Sequence, residues 1–252
     1  MTVAPPKVNF VVAGAQKSGT RALAHFLRQH PDIGLSIERL PEPHYFDKRY
    51  RHKDPPQYDA YHALFDAQDL SRVTGDVTPI YIFHPPSIER IKAYNPDMKV
   101  IVLLRDPVAR AHSHWAMEHE RGDEPRSFAF ALLNEVRMYL MGKRRHRVIS
   151  YLQRGFYAGQ IAHLYDHFPK HQCLILRSDD LRKNHAKTLH LVHEFLEVPT
   201  ADLPTPKTVH SRDYAPLPRW LDRVLRATFA NDLRRLETLT GLDCSDWQRP
   251  QP

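Results

Sequence analysis

Gly14-Ala15-Gln16-Lys17-Ser18-Gly19-Thr20-Arg21 follows the apolar run 8–13 and opens a helical pattern over 20–29, so a strand, a glycine-bounded loop and a helix start succeed one another directly. At such a turn consecutive backbone N–H groups point into a concavity, the helix dipole adds positive potential, and Lys17 brings an ammonium to any oxygens held there. The glycine spacing is that of the nucleoside-triphosphate loop G-x-x-x-x-G-K-[ST]. Thr20-Arg21 stands where that pattern has Lys-Ser/Thr, however, and the lysine lies inside the loop. The stretch therefore predicts a phosphate-type cradle at the end of a first strand.

A second strand-to-helix boundary runs Leu103-Leu104-Arg105-Asp106-Pro107-Val108-Ala109-Arg110-Ala111-His112-Ser113-His114-Trp115. Asp106 suits an N-cap, Pro107 the first turn, and Ser113 follows Arg110 by one turn. Arg105 and Ser113 can converge on a second phosphate; an ordinary Asp-Pro helix start with Arg105 in a surface ion pair accounts for the same residues.

Together the two stretches resemble the nucleotide motifs of the sulfotransferases that use 3′-phosphoadenosine 5′-phosphosulfate (PAPS), whose patterns are G-x-x-K-[ST]-G-T and L-R-[DN]-P-x-x-R-[AL]-x-S. That resemblance implies that Gln16, Lys17, Ser18, Gly19, Thr20 and Arg21 hold the 5′-phosphosulfate and that Arg105 and Ser113 hold the 3′-phosphate. It extends over 150–160, 174–181 and 229–247, most of the chain. Pro41-Glu42-Pro43-His44-Tyr45-Phe46-Asp47 resembles the K-E-x-H-F-F-D segment of the branch acting on heparan-type glycans, where the glutamate is the general base. An acceptor hydroxyl or amine must lose its proton as it attacks sulfur, and a carboxylate in reach can take it. Glu42 is thus the expected base, His44 the second choice, and Lys17 the group that neutralises the departing phosphate. Two segments depart from that branch: Val77 stands for a lysine in Gly75-Asp76-Val77-Thr78-Pro79-Ile80-Tyr81, and its two-cysteine cofactor loop is reduced to 207–212, where Arg212, or Lys207, is expected to close over the nucleotide. Glycan, lipid-linked sugar and small natural product all remain as acceptors, with PAP the nucleotide product.

Apolar runs such as Val100-Ile101-Val102-Leu103-Leu104 suit a parallel sheet covered on both faces. Strands are expected over 8–13, 73–76, 99–104 and 172–177. Helices are expected over 20–29, 58–65, 86–94, 107–120, 127–137, 159–168, 186–196 and 217–239, the last with a core stripe at Leu217, Leu221, Leu225, Phe229, Leu233 and Leu236 and a stop at Gly241. The fold class is a three-layer α/β/α arrangement around a central parallel sheet, P-loop-like, in a single domain 1–252.

A chain of 252 residues with 42% hydrophobic content can bury one sizeable core, and no stretch is apolar for long enough to span a bilayer. Its start carries no basic region followed by an apolar segment, so a cytoplasmic location is expected. Two cysteines, Cys173 and Cys244, make no disulfide framework. A net charge of +7 calls for an anionic partner. The one dense basic run, Lys143-Arg144-Arg145-His146-Arg147, has no aromatic residues interleaved, so a charged nucleotide or acidic acceptor is expected rather than nucleic acid. Among 17 histidines, His163 and His167 stand one turn apart, but the Glu of H-E-x-x-H is missing, so no metal is expected. Two other readings of the same loop are a phosphotransferase using a nucleoside triphosphate with Mg²⁺ and a non-catalytic nucleotide- or nucleic-acid-binding module, the second of which does not require Glu42.

Overall fold

A computed structural model describes residues 7–37, 42–48, 58–65, 72–143, 146, 148–200 and 217–249. Five strands, β1 (Phe10–Gly14), β2 (Ile33–Leu35), β3 (Val73–Val77), β4 (Lys99–Leu104) and β5 (Cys173–Arg177), form one sheet in the order β2-β3-β1-β4-β5. Every pairing is parallel, with Phe10 opposite both Gly75 and Lys99. The described helices are α1 (Thr20–Leu27), α2 (Asp59–His62), α3 (Pro85–Tyr94), α4 (Pro107–Glu120), α5 (Phe128–Leu140), α6 (Tyr157–His167), α7 (Ser178–Lys183), α8 (His185–Leu196) and α9 (Arg219–Thr240).

Alternation along the strands builds two apolar layers. Phe10 and Val12 of β1 and Ile101 and Leu103 of β4 pack with α1, α7 and α8. Val11 and Ala13, with Val100, Val102 and Leu104, face the other way, onto α3, α4, α5, α6 and α9. This is the three-layer, P-loop-like α/β/α arrangement expected from the sequence. Helix α9 buries Leu221, Leu225, Phe229, Leu233 and Leu236 and ends on Gly241 in the left-handed region, φ 75°. It is tied to the start of α4 by Arg226, which reaches Asp106 at 3.2 Å and the Trp247 carbonyl at 2.6 Å.

Three elements differ from the sequence expectation. Strand β2 has three residues with Gly34 at its centre, too short to show an alternation. Helix α7 buries only Leu181 and owes its shape to acidic residues in its first turn and basic ones in its last, an arrangement favoured by the helix dipole. The helix expected over 58–65 is regular only at Asp59–His62. Both cysteines are free, and burial pushes each thiol up to about 12.

Candidate active site

The order β2-β3-β1-β4-β5 reverses direction between β1 and β4, so their carboxyl ends open the crevice where ligands bind in such sheets. The loop 15–19 lies there. Its entry is anchored by the Ala15 N–H donating to the Leu103 carbonyl at 2.6 Å, and its interior by the Ser18 N–H donating to Ala15 at 3.1 Å. Lys17 (φ 69°) and Gly19 (φ 86°) both take the left-handed conformation, which favours glycine at the second position. Gly19 caps α1 without a side chain, and no acidic residue occupies the first turn. The helix start thereby keeps its positive end for a ligand. Thr20 is buried, Arg21 is exposed, and the fully buried Ser18 Oγ has no hydrogen-bond partner among the described residues.

From β4, Arg105 reaches across the crevice and donates to the Lys17 carbonyl at 3.2 Å, so the two strand ends are locked together. Asp106 caps α4 as its sequence suggests, accepting from the Val108 N–H at 2.9 Å. Ser113 is buried two turns into α4. Arg110 is buried beside it and donates to the Tyr151 carbonyl. Arg212 and Lys207 lie outside the described residues.

The third arm comes from the sheet's other side. Thr78, just past β3, donates its N–H to the Val12 carbonyl at 3.1 Å and accepts the His44 N–H on Oγ1 at 3.3 Å. Tyr81 accepts the Tyr45 N–H at 3.0 Å. Both hydroxyls end on buried Asp76: Thr78 donates to Oδ1 at 2.6 Å, and Tyr81 and Tyr61 donate to Oδ2 at 2.8 and 3.0 Å. Burial raises the Asp76 carboxyl to about 6 against the pull of these three donors. The segment 42–47 is therefore held by a buried polar hub on β3, and its rings Tyr45 and Phe46 pack on Tyr61 at 4.7 and 4.9 Å.

Within that segment His44 lies between two carboxylates, with Nε2 3.2 Å from Glu42 and Nδ1 3.1 Å from Asp47. Burial works against its charge, but the hydrogen bonds and charges of Asp47 and Glu42 prevail and raise its pKa to about 9. His44 is thus an imidazolium at neutral pH with both ring N–H groups donated.

The sequence alone does not reveal the floor of the crevice. His114 is fully buried on α4, and burial together with the positive charges of Arg154, Arg110, Lys17 and Arg121 holds it well below the ordinary histidine range. Glu118, one turn on and 3.5 Å from His114 Nε2, is pushed up by burial against the opposing charges of Arg121, Arg154 and Lys17. Arg154 arrives from the segment preceding α6, donates to Gln16 Oε1, and stacks on Phe83 at 5.1 Å. Its loop is held by Glu135, which accepts the Leu152 and Gln153 N–H groups at 2.7 and 2.9 Å. Lys17, Arg110 and Arg154, far apart in sequence, therefore all act through their charge on one buried imidazole.

Residues 7–214 match the sulfotransferase domain family, and the chain belongs to that family. Over 187 residues it is 33% identical to heparan sulfate glucosamine 3-O-sulfotransferase 3B1 of Homo sapiens, a match covering 74% of this chain and 45% of that protein. The chain thus spans about half the length of the curated relatives it matches. The crystal structure of a sulfotransferase from Alicyclobacillus acidocaldarius superposes with a TM-score of 0.84 at 29% identity, covering 98% of this chain and 100% of that one. Mouse sulfotransferase SULT7A1, complexed with PAP, shares the fold at a TM-score of 0.50 and 17% identity over 77% of this chain and 59% of its own. No helix among the described residues is long and apolar enough to cross a membrane.

Proposed function

We propose that the protein moves a sulfuryl group from PAPS to an acceptor hydroxyl or amine and releases PAP. The observation that carries this reading is the hydrogen-bonded run from Val12 through Thr78 to His44, which brings the Glu42 segment to the sheet edge where the phosphate-type loop opens. The residues present fit an anionic nucleotide: the Ser18 hydroxyl is buried with no partner among the described residues, α1 begins without a side-chain cap, and the charges of several cations are felt at His114. PAPS, when bound, supplies the sulfuryl group and the phosphate that leaves with PAP.

In this reading Gln16, Lys17, Ser18, Gly19, Thr20 and Arg21 line the 5′ side, with Lys17 set to neutralise charge on the leaving phosphate. Arg105 and Ser113 take the 3′-phosphate. Glu42 removes the acceptor proton. His44, doubly donating and positively charged, has no ring lone pair to receive one, so it orients Glu42 rather than replacing it. Among acceptors the likeness to a heparan sulfate glucosamine 3-O-sulfotransferase puts a sugar hydroxyl first, ahead of a lipid-linked sugar or small natural product. The same likeness supports sulfuryl transfer over phosphotransfer or passive nucleotide binding.

Thermal melting with nucleotides tests the reading. PAP is expected to raise the melting temperature, and adenosine 5′-phosphosulfate, which lacks the 3′-phosphate, to raise it much less, because the change in melting temperature reports affinity by mass action. Equal stabilisation by the two, or a preference for ATP with Mg²⁺, would refute it.

A further inference from the structure

We propose that Glu89, His163 and His167 form a binding site for a divalent transition metal, zinc first, that clips α3 to α6 outside the residues assigned to transfer. The sequence shows only the two histidines one turn apart; the fold supplies the third ligand from a helix about seventy residues earlier in the chain. One ligand atom from each of the three side chains lies within 4.8 Å of the other two. The imidazole centroids are 4.6 Å apart at an interplanar angle of 58°, so the rings converge without stacking flat against each other. Ligands about 2.0–2.1 Å from a tetrahedral zinc stand closer together than this, roughly 3.3 Å. Rotation of the exposed Glu89, with a small tilt of the rings about their carbonyl hydrogen bonds, is needed to close the difference.

The orientation of the imidazoles carries the argument. His167 Nδ1 lies 2.9 Å from the His163 carbonyl, and His163 Nε2 lies 3.3 Å from the Pro85 carbonyl at the start of α3. A carbonyl oxygen only accepts, so these two nitrogens carry the protons. In the neutral rings the lone pairs then stand on His163 Nδ1 and His167 Nε2. Donation of the outer ring N–H to a backbone carbonyl is how metal-ligating histidines are held in the metal-binding tautomer. Two imidazole nitrogens and one carboxylate suit zinc, and three protein ligands leave a fourth position for water. Among the described residues Glu89 has no ion pair, and Lys92 on the same helix turns its ammonium to the Pro96 carbonyl at 3.0 Å and the Phe168 ring at 4.9 Å.

The test uses the full chain stripped with chelator, titrated with zinc chloride by calorimetry and with cobalt chloride by visible absorption. One zinc per chain is expected to bind below millimolar metal. At a hundredfold excess over its dissociation constant it should raise the melting temperature by about 5–10 °C. Glu89→Gln, at an exposed position, is expected to weaken binding at least tenfold, and the double variant His163→Gln/His167→Gln to abolish both the calorimetric signal and the cobalt band. His44→Gln should leave zinc affinity unchanged. The proposal is overturned if zinc does not saturate, if Glu89→Gln binds as tightly as the parent protein, or if His44→Gln is the substitution that removes binding.

Discussion

His44 between Glu42 and Asp47 makes stability depend on pH in a direction opposite to that of a paired carboxylate. Its folded pKa of about 9 stands above the ordinary 6.5, so the folded state binds the proton more tightly than the unfolded chain. The resulting stabilisation is fully present below pH 6.5 and disappears as pH rises through 9. A tenfold gain in proton affinity on folding corresponds to about 1.4 kcal/mol, so the contribution is about 3 kcal/mol at pH 6, about 2 at pH 7.5 and under about 1 at pH 9. His44→Gln keeps a hydrogen-bonding side chain but does not titrate. The assay is urea unfolding of the parent and His44→Gln proteins at intervals from pH 6 to 9.5, read as the difference between their unfolding free energies. Groups remote from His44 cancel in that difference, including the thiols of Cys173 and Cys244; Asp76, raised by burial to about 6 and lowered in part by the His44 charge, does not, so the comparison is read from pH 7 upward. The difference should shrink by about 2–3 kcal/mol across the range. A difference flat to within about 0.5 kcal/mol would show that His44 is not held as a cation between the two carboxylates.

Two substitutions separate the proposed catalytic roles. Glu42→Gln keeps the shape of the proposed base without its basicity, so turnover with PAPS should fall by roughly two to four orders of magnitude while PAP binding hardly changes; it also removes one of the two anions at His44, so the pH midpoint of the stability difference should move down from about 9. Near-normal turnover in Glu42→Gln, with turnover lost in His44→Ala, would move the proton acceptor to the imidazole. Lys17→Ala should lower turnover by on the order of a hundredfold, with PAP affinity reduced less, because its charge is proposed to neutralise the departing phosphate. Turnover close to that of the parent would make Lys17 a solvated cation of the loop.

What could be read along the chain is what local physics encodes. Near-continuous apolar strand runs, the loop 14–21, the Asp106-Pro107 helix start and the stripe ending at Gly241 each depend on residues within a few turns of one another, and each appears at its expected place. Short or polar elements were not legible: β2 has no room for a period, and α7 is stabilised by terminal charges rather than by an apolar face. The site divides along the same line. The residue types of the cradle and of the Glu42 segment follow from their motifs, but nothing local says that Asp76 anchors that segment, that His44 is an imidazolium, or that Arg154 and Lys17 act through their charge on His114. Those facts belong to the tertiary structure, because a charge state is set by burial and by whatever charges the fold brings near. The parallel sheet joins strand ends that are distant in sequence, and only that closure brings Glu89 to the two histidines of α6.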